Sequence, residues 1–134
     1  MCVTATFHDL QELDNTLNGT AVSSAATVVG LLGSLRNREP FIFELRGDNG
    51  VSLTVGLARD IGCVQYASSD GSPPYRVARN KSEEDTGESV CFLMGDQQTE
   101  ISRRYCLAYE EVSNVAVHFV LTGNKTEAVE WEEI

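Results

Sequence analysis

Three alternating apolar stretches in tandem, with only a few turn-forming residues between them, constrain this chain more than any other feature. Phe41, Phe43 and Leu45 alternate with Ile42 and Glu44. After Gly47-Asp48-Asn49-Gly50, Val51, Leu53, Val55 and Leu57 alternate with Ser52, Thr54 and Gly56. After Asp60-Ile61-Gly62 a further strand runs from Cys63 to Ala67. A period of two places each apolar set on one face of a strand. Connections this short join antiparallel neighbours. An antiparallel meander is therefore expected, with an apolar face that other elements must cover.

Helical patterns supply the cover. Ser23 or Ser24 is placed to cap a helix running to about Arg36, with Ala25, Val28, Leu32 and Leu35 on one face. Gly30 and Gly33 weaken it by roughly 1 kcal/mol each relative to alanine, unless they admit a close sheet. A second helix is expected from Tyr109 to Thr122. Val112, Val115, Ala116 and Phe119 form its buried stripe, Glu110 and Glu111 lie in the favourable first turn, and Gly123-Asn124 closes it. Further strands are expected at Cys2–Phe7, Val90–Met94, Thr99–Ile101 and Ala128–Glu132, and Asn18-Gly19 reads as a turn. Residues 68–87, rich in Ser, Gly, Pro and charge, read as irregular. The length suits one domain. The expectation is a single α+β domain over residues 1–134, a largely antiparallel sheet with two helices packed against it.

Charge is distributed unevenly. Residues 82–134 hold twelve acidic side chains against Arg103, Arg104 and Lys125, a local net of −9 out of −10, whereas residues 1–81 are nearly balanced. Such a surface repels nucleic acid and anionic membranes and favours a positive protein partner. The run Ala21–Leu35 falls short of the roughly 20 apolar residues a membrane span needs, and no basic, apolar leader opens the sequence. A cytoplasmic protein is expected. Cys2, Cys63, Cys91 and Cys106 are widely spaced and read as small buried hydrophobes. The N-x-S/T triplets at Asn18, Asn80 and Asn124 read as turn chemistry. His8 and His118 have no ligand-spaced partner, and no nucleophile elbow, phosphate loop or zinc-protease motif is present. No catalytic residue, metal or cofactor is expected.

Three stretches carry a family likeness. They are Leu53-Thr-Val-Gly-Leu-Ala-Arg-Asp-Ile-Gly-Cys-Val-Gln-Tyr66, with glycines at 56 and 62, then Val90-Cys-Phe-Leu-Met-Gly-Asp-Gln-Gln-Thr-Glu-Ile101, and finally Phe119-Val-Leu-Thr-Gly-Asn-Lys-Thr-Glu-Ala-Val-Glu-Trp131. In this order and spacing the chain resembles a family of bacterial immunity proteins from polymorphic toxin systems, the family that usually neighbours cytidine-deaminase toxins. It departs at Lys125-Thr126, where relatives often carry proline, and in the loop ending Ser-Pro-Pro-Tyr75, which is aromatic-rich in the family.

The resemblance implies a non-enzymatic inhibitor that binds one cognate toxin domain 1:1, the toxin being basic and a zinc-dependent deaminase. Charge and aromatic content nominate the toxin-binding residues: Tyr66, Tyr75 and Trp131 as anchors, surrounded by Asp70, Glu84, Glu100, Glu130 and Glu132. Trp131 and Glu130/Glu132 are expected on opposite faces of their strand. Two alternatives stay open: an acidic adaptor or nucleic-acid mimic of another system, and a small enzyme using His8 or His118.

Overall fold

The computed structural model describes residues 3–80 and 87–134. The meander is its centre: β3 (Phe41–Gly47), β4 (Val51–Ala58) and β5 (Ile61–Ser68) pair antiparallel. Their register sets Phe43 against Val55, Leu45 against Leu53 and Val55 against Val64, so one face is continuously apolar and buried. β1 (Ala5–Asp9) lines the other side of β3 and carries β2 (Ala21–Val22) at its margin. Beyond β5 lie β6 (Arg76–Arg79) and then β10 (Glu130–Glu133), both antiparallel. The sheet thus runs β10-β6-β5-β4-β3-β1-β2. A hairpin, β7 (Ser89–Met94) and β8 (Gln97–Ser102), joins it through one parallel pairing, Phe41 with Leu93. The short β9 (Leu107–Ala108) pairs with β5.

Both helices pack on the apolar face. α1 (Ala25–Leu35) starts at Ser24, whose hydroxyl accepts from Thr27 N–H while the Thr27 hydroxyl accepts from Ser24 N–H, a reciprocal cap. Val28, Leu32 and Leu35 face the core. Gly30 and Gly33 point away from it, with open space around each, so no close sheet explains them. α2 (Tyr109–Thr122) buries Val112, Val115, Ala116, Phe119 and also Val120. It ends at Gly123, left-handed at φ 78°, whose carbonyl accepts from Asn49 Nδ2 at 3.0 Å. A Cβ there would lie 2.8 Å from that same nitrogen, so packing demands glycine as firmly as the turn does. The result is one α+β domain, its sheet antiparallel apart from the β3–β7 contact. Among the described residues no helix is long and apolar enough to cross a membrane.

Several local expectations shift. The first strand is displaced toward the chain's C-terminal side, ending at Asp9, because β3 pairs with it as far as Phe43. The turn between β4 and β5 is Arg59-Asp60, with Arg59 at φ 58°, and Ile61 already belongs to the strand. The region expected to be irregular contains β6. Cys106 is buried and burial pushes the Cys63 thiol up to about 12, but Cys91 is exposed on the outer side of β7, against the expectation of burial. Cys2 lies outside the described residues.

A polar node anchors the other end of the sheet. The Asp9 side chain is wholly buried and accepts from Gln11 N, Glu12 N, Asn15 Nδ2 and Arg38 at 2.8–3.0 Å. With every strong acceptor position occupied, the charge is tolerated inside.

Candidate functional site

Most of the nominated residues fall along one margin of the sheet, built by β5, β6 and β10, but on both of its faces. Trp131 stands opposite Ala78 and shares the helix-covered face. Its ring meets Tyr66 edge-on with centroids 6.3 Å apart, and Tyr66 in turn meets Phe119. The indole N–H donates to Thr126 O at 2.7 Å, so its polar atom is satisfied within the chain. Lys125 lies 5.9 Å from the Tyr66 ring centroid. Both rings are half-buried, with one side in the core and the other toward the margin.

Glu130 and Glu132 project from the opposite face, aligned with Arg79 and Val77. Strand alternation separates them from Trp131 as expected. The two differ in their surroundings. Glu132 receives hydrogen bonds from Arg104 Nη2, at 3.3 Å, and from the Tyr105 hydroxyl, and this bond to the carboxylate, together with burial, raises the Tyr105 phenol above its usual range. Glu130 is exposed and has no ion-pair partner among the described residues.

Asp70 and Tyr75 sit in the β5–β6 loop at the far end of the same margin. The Asp70 carboxylate accepts from the hydroxyl and N–H of Ser72, which holds it below the ordinary carboxylate range. The Tyr75 hydroxyl donates to Gly71 O, and its carbonyl accepts from Ile134 N at 2.9 Å, tying the loop to the end of β10. Glu100 is exposed on β8, next to Cys91. Glu84 lies outside the described residues. Glu132 is bonded to Tyr105, which lines the same concavity as Glu100, whereas Asp70 and Tyr75 form a separate group.

Sequence reasoning missed a concavity on the helix-free face of the sheet. The β7–β8 hairpin folds back over the helix-free face of β4 and β5, leaving a groove of about 410 Å³. Its lining is mainly apolar, with Ile42, Val77, Met94 and Ile101 prominent, and among the described residues Glu100 is the charged side chain that lines it.

Ion pairing also differs along the chain. Arg36, Arg38 and Arg46 engage Asp60, Asp9 with Glu12, and Glu44. In the acidic third, Glu100, Glu110, Glu111, Glu127, Glu130 and Glu133 have no such partner among the described residues. Residues 3–80 also hold Asp14, Glu39, Asp48 and Asp70 without an ion pair among the described residues, but Arg59, Arg76 and Arg79 nearly offset them in number, whereas Lys125 alone offsets those of residues 87–134.

The family model of immunity protein Imm1 matches residues 4–133. The chain belongs to the Imm1 immunity protein family. No curated protein matches it. Membership gives an immunity role and implies a cognate toxin as partner. Packing explains two glycines of the β4–β5 stretch in this Imm1 chain. A Cβ on Gly56 would lie 2.7 Å from Cys63 Sγ and 3.1 Å from the Phe92 ring; one on Gly62 would lie 2.5 Å from Gly56 O. Those glycines, with Gly123, are packing requirements of the fold.

Proposed function

We propose that this Imm1 protein neutralises a nucleic-acid deaminase toxin in the cytoplasm by covering the toxin's substrate groove and active-site mouth, one to one, with no chemistry of its own. The observation that carries the reading is the exposed carboxylates of β8 and β10 that have no ion-pair partner among the described residues, Glu100, Glu130 and Glu133. A deaminase acting on nucleic acid presents a positive channel beside a zinc pocket. Fixed carboxylates compete for that channel, accelerate encounter and disfavour wrong partners. Tyr66, Tyr75 and Trp131 would supply partly desolvated anchors, within a surround of Asp70, Glu84, Glu100, Glu130 and Glu132.

A self-protecting inhibitor needs nanomolar binding or better, about −12 kcal/mol, which calls for an interface of about 1,600 Å² with a few buried anchors. The test is competition. Rising concentrations of nucleic-acid substrate should displace the protein from toxin, and inhibition should titrate to a 1:1 end point. A stable ternary complex of toxin, inhibitor and substrate would overturn occlusion.

A further inference from the structure

We infer that the groove beneath the β7–β8 hairpin seats a loop of the toxin, one with an apolar or aromatic side chain at its tip and lysine or arginine beside it. The inference rests on the immunity reading and specifies where on this chain the contact is made.

The groove is preformed. Phe92 is fully buried against Gly56 and acts as a spacer between the hairpin and β4. The hairpin backbone is pinned by Leu93 N to Pro40 O and by Gly95 N to Leu10 O. Its turn is held by a double hydrogen bond between Asp96 and Gln11. Walls fixed in this way need little ordering when a ligand enters.

The groove also has the size and chemistry of an anchor pocket. A closed apolar cavity of about 150 Å³ already accommodates benzene, so about 410 Å³ takes a large side chain with its flanking backbone. Met94 is 42% and Ile134 61% exposed, both in the lining, and burial by a partner would remove that apolar surface from water. At the rim stand Glu100 and, rising from the same face of the sheet, Glu130 and Glu132, with Arg79 aligned beside Glu130 and Arg104 bonded to Glu132. Three carboxylates against two guanidiniums leave the rim net negative, and such a rim around an apolar floor favours a basic residue next to an apolar one. The net charge of −10 disfavours phosphate and a second copy of this chain.

The probe is the toxin domain whose killing this chain relieves on co-expression, inactivated at its catalytic residue. Thr99→Arg and Met94→Arg fill the groove from β8 and β7; Met94 is exposed enough that its replacement leaves folding intact. Each should weaken toxin binding about 100-fold, mainly through faster dissociation. Glu100→Lys should slow association about tenfold and flatten its salt dependence. The control, Glu110→Lys with Glu111→Lys on α2, makes a larger charge change on the other side of the sheet and should alter Kd less than about threefold. Melting temperatures of all variants separate misfolding from lost contact. Groove variants that fold and bind within threefold of wild type would overturn the inference, as would groove variants that change only self-association in sedimentation. Either result leaves 1:1 substrate-competitive inhibition standing if the competition experiment succeeds. Failure of that competition with the groove variants still impaired would instead relocate the toxin's contact away from its active site.

Discussion

Asp9 and the carboxylates of β8 and β10 are the same functional group used in opposite ways. Asp9 is sealed inside with four donors around it, one of them cationic, and its charge organises the loop that follows β1. Glu100 and Glu130 are exposed and, among the described residues, have no cationic partner. A saturated carboxylate stabilises the fold but is unavailable to anything outside. An unsaturated one adds little to the fold and keeps its field for another molecule. Glu132, shared between Arg104 and Tyr105, lies between these extremes.

The sharpest way to break the comparison is to remove the buried group. Asp9→Ala leaves three donors and Arg38 without their acceptor and should cost about 3 kcal/mol in urea denaturation. A loss under about 1 kcal/mol would mean that the node is not a structural charge.

Acid provides a milder version. Burial pushes the Asp9 carboxyl up, but hydrogen bonds from Glu12 N–H, Asn15, Arg38 and Gln11 N–H outweigh it and hold the group below the ordinary value. The folded pKa is therefore the lower one. Its stabilisation is complete above the unfolded value of about 3.9 and is lost as pH falls through the folded value. Below about pH 4 the stability of Asp9→Asn should fall less steeply than that of wild type. Parallel curves would transfer the acid sensitivity to other groups.

The smallest expected effect lies at the opposite pole. Glu130→Gln with Glu133→Gln should change stability by less than about 0.5 kcal/mol while slowing association with the toxin at low salt. Lost stability with unchanged binding would reverse the assignment.

The covalent neighbourhood decides which parts of this molecule could be read in advance. α2 was legible to the residue, since its stripe and its terminal Gly123 are local signals. The meander was legible because turn and alternation coincide. β6 was hidden because its apolar content is only Val77 and Ala78, flanked by arginines, and it becomes a strand only between β5 and β10. The Asp9 node depends on Arg38, far along the chain. The groove joins residues from β3 to the end of β10 that share no pattern. Of the nominated residues, Glu130 and Trp131 were placed on the correct faces by alternation alone. That Glu132 would be held by Tyr105 and Arg104 depends on the course of the chain after β8 and had no signal in sequence.

Among the described residues β10 is paired on one side only, with β6. A bare strand edge is an invitation to any other extended chain, including another copy of the same protein in a crowded cell. Here the edge is four residues long and three of them are glutamate. To stack edge to edge, two copies would have to bring these carboxylates within a few ångströms of each other, so β10 carries its own safeguard against aggregation.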